Sequence, residues 1–390
     1  MRIFHIRNCY LRLTETFIYN FILLSSHVKD AEIYIIVHET INLEQFPLPE
    51  NVKILEIKKR PSNKLIERFV GINSNEPFWY YGMARILRQY KPDLVHCHFG
   101  DQGTMFNDFL ERKRVSQQFA VSFYGYDAGI MPFLNSKFRD DLLRLWNNCS
   151  AIFCEGPSLM EKVTKLGARR ECIYLSPIPI DTLQYPVREF ANKNGEWISF
   201  LVIGRFIPKK GFHIFLTALG LMKMTGFSSF SVTMVGEGKF EDEYARIIKE
   251  FDMSEHINFT GLIPLKECKQ LMVDKDVLVH PSLEDKDHDT EGGAPTILIE
   301  AQVIGIPVIA TTHADIPFVM GYQDFLCREN DTDDLIRIID KFRKTSSTEL
   351  ENLISIGKEH AIKQHDFKNS PYPSYLNSIC SKGVANFNNN

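Results

Sequence analysis

Short apolar runs alternate with longer amphipathic stretches along nearly the whole chain, and this alternation limits the possible folds strongly. In the first half, "DLVHCHF" and "AIFCEG" are typical of strands, whereas "FWYYGMARILRQY" has the periodicity of a helix. The second half repeats the pattern, from "WISFLVIGR" to "PVIATT". Continuous apolar strands separated by crossover helices predict parallel sheets that are covered by helices on both faces.

A polar and aperiodic stretch, "YPVREFANKNGEW" at 185–197, divides this series into two halves. The chain has 390 residues, which is long for a single core. We therefore predict two doubly wound, Rossmann-like α/β domains, over 1–185 and 190–365, that face each other across a cleft. Ligands of such sheets bind at the carboxyl ends of the strands, so residues that follow a strand are the candidate site residues.

Composition and charge narrow the class of protein. Hydrophobic residues make up 44% and charged residues 24% of the chain, as in globular proteins. A net charge of -4 argues against a protein whose whole surface binds nucleic acid. The sequence lacks the apolar core of a signal peptide and a long apolar span, and its eight cysteines are scattered. These features predict a cytoplasmic protein with reduced thiols.

A basic loop follows the first strand of the second half. In "VIGRFIPKKGFHIF", Gly204 ends the strand, and Arg205, Lys209 and Lys210 precede the next helix. Helix N-termini attract phosphate, and two or three cations there would neutralise a diphosphate. A solvated basic loop is the alternative. Gly236, after the next strand, would let a ligand approach the backbone, although any tight turn could use a glycine there.

The stretch "TEGGAPTILIEAQ" has the character of a loop that leads into a buried helix. Gly292, Gly293 and Ala294 would lie at the helix N-terminus and leave room for a phosphate or a sugar. Glu291 would face the ligand from the loop. Glu300, the one charge in an apolar helix, could accept hydrogen bonds from both hydroxyls of a ribose. The alternative for Glu300 is a surface glutamate on an amphipathic helix.

Two other patterns suggest metal binding. Asp285-x-Asp287 has the spacing of a metal motif, but it stands in a loop where charge is common, and we favour a site without metal. His96 and His98 alternate on one strand and so share a face. With no third ligand apparent, we favour a hydrogen-bonding site, in which His98 is the better candidate to face the cleft.

The segment 57–69 holds five cations and one acid. We favour a solvated surface slightly, and the alternative is a patch that contacts an anionic membrane. The aromatic run "FWYYG" at 78–82 could be an apolar membrane anchor, but the core is the preferred interpretation.

Taken in order, "GRFIPKKGF", "VGEG", "FTGLIP", "HPS", "EGGAPTILIEAQ" and "GIPVIATTHADIP" resemble the retaining glycosyltransferases of family four, which have the GT-B fold. "RLTETFIYN", "LVHCHFG" and "SFYGYDAG" resemble the subgroup that builds bacterial surface polysaccharides. The resemblance implies transfer of a sugar from a nucleotide-diphosphate sugar to an acceptor hydroxyl, with retention of configuration and without cofactor or metal. It further implies a carbohydrate or lipid-linked acceptor at the inner face of the membrane.

The resemblance also implies roles for individual residues. The second domain would bind the donor and the first the acceptor, with 366–385 packing back on the first. Arg205 and Lys210 would hold the diphosphate, and Glu291 would lie near the donor sugar. The other implied donor-side residues are Gly204, Gly236, Glu237, Leu262, Gly292, Gly293, Ala294, Pro295, Thr296 and Glu300. The implied acceptor-side residues are Thr14, Glu15, Thr16, His98, Tyr124 and Asp127.

The sequence departs from the family pattern at three points. Eight residues lie between Glu291 and Glu300, one more than the family usually has. Tyr124 stands where many relatives carry a histidine, and tyrosine is a poorer proton carrier at neutral pH. "LRLTETF" replaces a glycine-rich loop. A nucleotide-sugar epimerase, a phosphorylase and a non-catalytic nucleotide-sugar-binding protein remain as alternative functions on the same fold.

Overall fold

The computed structural model describes residues 1–57, 78–189 and 197–387, which form two compact α/β units. The first unit contains residues 1–155 and 160–179, and the chain returns to it at Pro371. The second unit contains residues 156–159 and 180–370. The chain thus enters the second unit at Ile180, a few residues before the predicted linker at 185–197. It leaves the second unit after Ser370, a few residues beyond the predicted return at 366.

The first unit is built on a parallel sheet in the order β5-β3-β1-β6-β7-β8-β9. Its strands β6 and β7 are buried along their whole length, as expected for a sheet with helices on both faces. A short parallel pair, β2 and β4, lies outside this sheet. The strands are β1 Arg2–Ile6, β2 Cys9–Tyr10, β3 Glu32–Val37, β4 Glu39–Thr40, β5 Val52–Glu56, β6 Leu94–His98, β7 Phe119–Phe123, β8 Ala151–Cys154 and β9 Ile173–Leu175.

The helices of the first half connect these strands. The helix near the end of the chain also packs on this sheet. Helix Tyr372–Phe387 contacts the first sheet, where the Tyr372 hydroxyl lies 2.6 Å from His96 Nδ1. The Gln118 side chain donates to the Ile379 carbonyl at 2.6 Å. The helices are Thr16–Ser26, Phe78–Tyr90, Gly100–Lys113, Tyr126–Gly129, Met131–Leu134, Ser136–Asn148, Pro157–Lys165 and Tyr372–Phe387.

The second unit has a six-stranded parallel sheet in the order β12-β11-β10-β13-β14-β15. Two parallel-sheet α/β units are therefore present, as the alternating pattern predicts. The strands are β10 Ile198–Ile203, β11 Phe230–Val235, β12 Ile257–Gly261, β13 Val277–His280, β14 Val308–Thr311 and β15 Leu326–Cys327. The helices are Phe212–Met224, Glu241–Glu250, Leu265–Asp274, Thr296–Ile304, Ile316–Val319, Thr332–Lys344 and Ser347–His365.

The aromatic run at 78–82 contributes to the core. Trp79 and Tyr80 are buried, and both rings pack edge-on against Phe109, which confirms the preferred interpretation. The basic segment 57–69 lies outside the described residues, except for the buried Ile57. Among the described residues, no helix combines the length and the apolar character needed to cross a bilayer.

Candidate functional site

Glycines allow the loops at the carboxyl ends of three strands of the second sheet to approach one another. Gly236 has φ +136°, and a Cβ there would overlap the Gly204 carbonyl oxygen. Gly211 has φ +68°, and a Cβ there would overlap the Pro281 carbonyl oxygen. These two positions therefore need glycine because backbone packs on backbone. Close approach of a ligand is not required to explain them.

Lys210 and Glu291, which are 81 positions apart, form a nearly buried ion pair. Lys210 Nζ lies 2.7 Å from Glu291 Oε1, and each side chain is 12% exposed. The Ser282 hydroxyl donates to the same oxygen at 3.1 Å. Burial raises the pKa of Glu291, but Lys210 and the other cations outweigh it and hold that pKa well below its usual value. Burial lowers the pKa of Lys210, and Glu291 opposes this shift. Both groups are therefore charged at neutral pH.

The three cations of the basic loop differ in their surroundings. Arg205 is exposed, pairs with no carboxylate among the described residues, and is close enough to lower the pKa of Lys210. Lys209 is buried, and its Nζ lies 3.0 Å from both Asp289 Oδ1 and the Thr290 carbonyl oxygen. Arg205 and Lys210 are thus available to an anion, whereas Lys209 fixes the loop that precedes Glu291. Lys209, which stands with them among the two or three cations considered for a diphosphate, is engaged by protein groups.

His313 supports the backbone of Glu291, and the sequence analysis did not single it out. Its Nε2 accepts a hydrogen bond from the Glu291 N–H at 3.2 Å. Its Nδ1 lies 2.6 Å from Glu329 Oε2. Because Nε2 is an acceptor, the neutral ring carries its proton on Nδ1 and donates it to Glu329. The quoted motif "GIPVIATTHADIP" contains this histidine, directly after a strand, and that position was the available signal.

His280 lies next to the ion pair and was also missed. It is 1% exposed, and neither ring nitrogen has a hydrogen-bond partner among the described residues. Burial lowers the pKa of His280 to about 3, and Lys210 acts in the same direction. The ring is therefore neutral at physiological pH.

The helix Thr296–Ile304 begins beside this pair. Gly292, Gly293 and Ala294 precede it and are buried, and Gly305 ends it with φ +94°. Pro295 occupies the N-cap position, and Thr296 is the first helical residue. The free N–H groups of the first turn are thus close in sequence to Glu291.

Glu300 points its carboxylate at Tyr185. The Tyr185 hydroxyl donates to Glu300 Oε1 at 2.9 Å, and Lys269 Nζ lies 3.8 Å above the tyrosine ring. Burial raises the pKa of Glu300, against the opposing effects of Lys269 and of the Tyr185 hydrogen bond. These contacts do not fit the alternative of a surface glutamate. Tyr185 was missed because it lies in the predicted linker.

Two further predicted donor-side residues are exposed at neighbouring strand ends. Glu237 follows β11, and its Oε1 is 3.4 Å from the position of a Cβ built on Gly261. Leu262 follows β12 and is 60% exposed. Both side chains are open to a ligand.

In the first unit, Asp127 is buried completely. Its carboxylate accepts hydrogen bonds from the N–H groups of Tyr124 at 3.0 Å, Gly125 at 2.9 Å and Gly100 at 2.7 Å. Burial raises the pKa of Asp127 to about 6, although these hydrogen bonds oppose the shift. Asp127 therefore fixes the backbone of the loop that follows β7. This placement does not support its predicted contact with an acceptor substrate.

Glu15 has a similar structural role. It is 5% exposed, forms an ion pair with Arg7 at 2.6 Å and accepts a hydrogen bond from the Arg12 N–H. The predicted acceptor contact through Glu15 is therefore not supported either. Thr14 is exposed and Thr16, the first residue of its helix, is half-buried, so the two threonines are the accessible members of this group.

His98 is also buried completely, so the prediction that it faces the ligand is wrong. It belongs to a cluster with His96 and His5, because β1 pairs with β6 in a register that places His5 beside His96. His98 Nε2 lies 2.9 Å from His5 Nδ1, and His98 Nδ1 lies 2.7 Å from the Tyr124 hydroxyl. Tyr124 is half-buried and follows β7.

The three histidines are the one group of three or more possible metal ligands within the described residues. Asp285 and Asp287 find no third ligand there. Asp285 Oδ1 instead accepts hydrogen bonds from the N–H groups of Asp287 and Asp289, each at 2.9 Å, which closes a turn.

Comparison with known proteins gives relatives for most of the chain. Residues 186–360 match the family described as "Glycosyl transferases group 1". WcaL of Escherichia coli (strain K12), a protein named for colanic acid biosynthesis, is 25% identical over 73% of this chain and 69% of its own length. The amylovoran biosynthesis glycosyltransferase AmsK of Erwinia amylovora is 27% identical over 66% of this chain and 63% of its own length.

Solved structures match over the full length. Anabaena Alr3699/HepE in complex with UDP and glucose has a TM-score of 0.73 at 14% identity, and covers 100% of this chain and 99% of that one. WaaG, a glycosyltransferase involved in lipopolysaccharide biosynthesis, has a TM-score of 0.65 at 13% identity, and covers 97% of this chain and 99% of that one. These likenesses show the fold, which is that of the GT-B glycosyltransferases.

Proposed function

We propose that this chain, whose residues 186–360 form a glycosyl transferases group 1 domain, is a retaining glycosyltransferase. It would move a sugar from a nucleotide-diphosphate sugar to an acceptor hydroxyl. The observation that carries this proposal is the exposed Arg205 beside the nearly buried Lys210–Glu291 pair, at the carboxyl ends of a parallel sheet. Ligands of such sheets bind at this edge.

The charges of this edge suit a diphosphate. Arg205 offers a planar guanidinium that has no carboxylate partner among the described residues, and Lys210 shares its ammonium with a single carboxylate oxygen. An ammonium has three donors, so Lys210 keeps two for a ligand. The free N–H groups that open helix Thr296–Ile304 add further donors for an anion.

The same groups would act on the reaction. Negative charge grows on the diphosphate as the sugar–oxygen bond breaks, so cations held in place beforehand stabilise the transition state more than the ground state. Glu291 is bound to Lys210 and Ser282, which makes it a support for the cation and a poor nucleophile. We therefore infer attack by the acceptor hydroxyl on the face that the diphosphate leaves, with a donor phosphate oxygen taking the proton.

The names of the relatives suggest the biological setting. WcaL and AmsK are named for the synthesis of colanic acid and amylovoran. HepE was solved with UDP and glucose. By analogy we propose a UDP-type donor and a role in surface polysaccharide assembly, with a carbohydrate or lipid-linked acceptor bound by the first unit. Work at the cytoplasmic face of the membrane is part of this proposal.

The test is incubation of the purified protein with a panel of nucleotide sugars and methyl glycosides. Release of nucleoside diphosphate together with a new glycoside of retained configuration supports the proposal. Interconversion of two nucleotide sugars without an acceptor would instead indicate an epimerase. Binding without any turnover, over the whole panel, would indicate a nucleotide-sugar-binding protein.

Glu300→Gln is expected to weaken nucleoside diphosphate binding about ten- to a hundredfold. Glutamine keeps one acceptor oxygen, so the variant would lose one charge-assisted hydrogen bond to the ribose hydroxyls, worth about 1.5–3 kcal/mol. Calorimetry with UDP measures the effect. Inorganic pyrophosphate, which has no ribose, is the control ligand and should bind both proteins equally. An equal loss for pyrophosphate would place Glu300 elsewhere.

Chelation of divalent metal is expected to leave transfer largely unchanged, because two cationic side chains already face the proposed diphosphate position. The Asp285→Asn/Asp287→Asn double variant should also be mild, within about 0.5 kcal/mol of transition-state stabilisation. The measurement is kcat/KM before and after treatment with EDTA. Complete loss of activity that manganese or magnesium restores would require a metal-dependent mechanism.

A further inference from the structure

A chain of hydrogen bonds leads from Tyr124 into the core of the first unit. It ends at the Phe21 carbonyl, which accepts from the Ser25 hydroxyl at 2.8 Å. The Ser25 hydroxyl has a single proton, which this carbonyl accepts, and the Tyr372 hydroxyl is a further hydrogen-bond partner of Ser25. His5 Nε2 lies 3.1 Å from Ser25 Oγ and must therefore donate.

The donor and acceptor roles of the two histidines follow from this bond, from His5 outward to His98. A neutral His5 that donates through Nε2 has an unprotonated Nδ1, which accepts from His98 Nε2–H at 2.9 Å. His98 Nδ1 is then unprotonated as well, and it accepts from the Tyr124 hydroxyl at 2.7 Å. Both rings are 0% exposed, and burial lowers the pKa of His5 to about 3 and that of His98 well below its usual value. Both are therefore neutral.

We propose that this chain of hydrogen bonds makes Tyr124 an obligate hydrogen-bond acceptor towards its ligand, so that it recognises a hydroxyl of the acceptor substrate that donates. The inference rests on the proposed function for the identity of that substrate. The sole phenolic proton of Tyr124 points inward and Ser122 bonds the same oxygen, so one lone pair of that oxygen remains for a ligand. Tyr124 is half-buried and follows β7 at the edge where ligands of a parallel sheet bind.

The same chain is poorly suited to remove a proton from the acceptor. A proton that entered through Tyr124 would have to rest on His98 or His5, whose burial disfavours the charged ring, or on the Phe21 carbonyl, which is a very weak base. Burial also raises the pKa of Tyr124 well above its usual value, although a hydrogen bond from Ser122 opposes the shift. His98 and His5 are thus positioning residues, and they do not act as the general base.

A metal ion is the competing explanation for the cluster. Zinc binds imidazole nitrogens at about 2.0–2.1 Å and needs their lone pairs to converge on one point. Here each ring nitrogen of the cluster already has a protein partner, and His5 Nδ1 and His98 Nε2 share one proton across 2.9 Å. The hydrogen-bonded arrangement is complete without a metal, so we favour it.

The first experiment reads the tautomers directly by NMR of protein labelled with 15N-histidine. We expect neutral Nε2–H rings for His5 and His98 between pH 6 and 8. Tyr124→Phe should shift His98 Nδ1 directly and should reach His96 only through Ser122, which bonds both Tyr124 and His96 Nε2. Tyr372→Phe is the comparison for His98 Nδ1, because it removes another buried phenol, which contacts His96 Nδ1 at 2.6 Å and also bonds Ser25. A proton on His98 Nδ1, or one zinc per chain after incubation with zinc chloride, would overturn the proposal.

The second experiment tests recognition with methyl hexopyranosides and their monodeoxyfluoro analogues, in which C–F replaces one donating hydroxyl. One analogue should lose at least about tenfold in kcat/KM with the wild type, and Tyr124→Phe should abolish that difference. His98→Leu should raise the acceptor KM and leave the donor KM unchanged. His98→Asn, whose amide oxygen can replace Nδ1 as an acceptor, should restore part of the loss.

The two experiments separate this inference from the proposed function. Equal transfer to every deoxyfluoro analogue and to its parent would contradict recognition by Tyr124. The same result would still support the proposed glycosyltransferase activity. Absence of binding and turnover with all nucleotide sugars would instead defeat the proposed function, and the tautomers of His5 and His98 would still decide the direction of the hydrogen bonds.

Discussion

Lys210→Met is expected to abolish sugar transfer and, separately, to lower the free energy of unfolding of the second unit by about 3–5 kcal/mol. Methionine would replace the aliphatic part of the side chain but leave the nearly buried Glu291 carboxylate without the cation that lies 2.7 Å from it. An unpaired charge in such surroundings is among the costliest defects in a protein. Urea denaturation and kcat/KM measure the two effects independently.

Arg205→Met is the matched control, since it removes a cation of the same loop from an exposed position. It should cut transfer at least about tenfold through a lost charge-assisted contact, yet change stability by no more than about 0.5 kcal/mol. The double variant Lys210→Met/Glu291→Leu removes both charges. It should recover most of the stability while remaining inactive, because the buried carboxylate is gone but the diphosphate still lacks Lys210.

The coupling of Lys210 to Glu291 also changes what Glu291→Gln can show. With the carboxylate neutralised, burial alone would act on Lys210, and its affinity for diphosphate would change together with any sugar contact. A Lys210→Met protein that is as stable as the wild type would contradict the buried pair. A Lys210→Met protein that transfers sugar normally would remove this loop from the site.

Local patterns of the sequence predict the features of this molecule that depend on neighbouring residues. Strand and helix periodicity is local, and it suffices to identify two parallel-sheet units. The same holds for the half-buried Glu300 in an otherwise apolar helix. Each of these follows from residues a few positions apart.

Features that depend on distant partners escape such patterns. His98 follows the rule that places a strand-end residue near a ligand, but pairing of β1 with β6 encloses it beside His5, 93 positions away. The partner of Glu300 is Tyr185, 115 positions away in a segment with no periodicity. Asp127 was expected to contact the acceptor, whereas three backbone N–H groups use its carboxylate. A polar residue directly after a strand marks a position near the ligand edge of the sheet. Whether its side chain can reach a ligand depends on the partners that the fold brings to it.

Mild acid is expected to unfold the first unit before the second. Burial lowers the pKa of His5 to about 3, and it lowers the pKa values of His96 and His98 well below the usual value. The unfolded chain titrates these rings near pH 6.5. Between pH 6.5 and the folded pKa values, the unfolded state therefore binds up to three more protons, and stability falls as the pH falls.

The magnitude follows from the number of protons. Each proton bound by the unfolded state alone costs about 1.4 kcal/mol per pH unit, so three histidines cost about 4 kcal/mol per unit. Asp127 acts in the opposite direction, because its pKa is raised to about 6 and the folded state holds its proton between about pH 6 and 4. The net loss is then about 3 kcal/mol per pH unit, and a unit with about 5 kcal/mol of stability would unfold near pH 5.

The second unit has a smaller imbalance among its described residues. Burial lowers the pKa values of His280 and His213, which destabilises the unit in acid, whereas burial raises the pKa of Glu300, which acts against the loss. Because these shifts oppose one another, the stability of the second unit should fall less steeply than that of the first in the same range.

Single variants can separate the histidine cluster from general acid effects. His98→Asn removes one buried titrating ring, and it should reduce the slope of unfolding free energy against pH by about 1.4 kcal/mol per unit between pH 6 and 4.5. Urea denaturation at several pH values gives these slopes. If the wild type and His98→Asn have equal slopes, the cluster must be protonated in the folded protein, and the directed hydrogen bonds from Tyr124 to Ser25 could not exist, because a charged ring has no acceptor nitrogen.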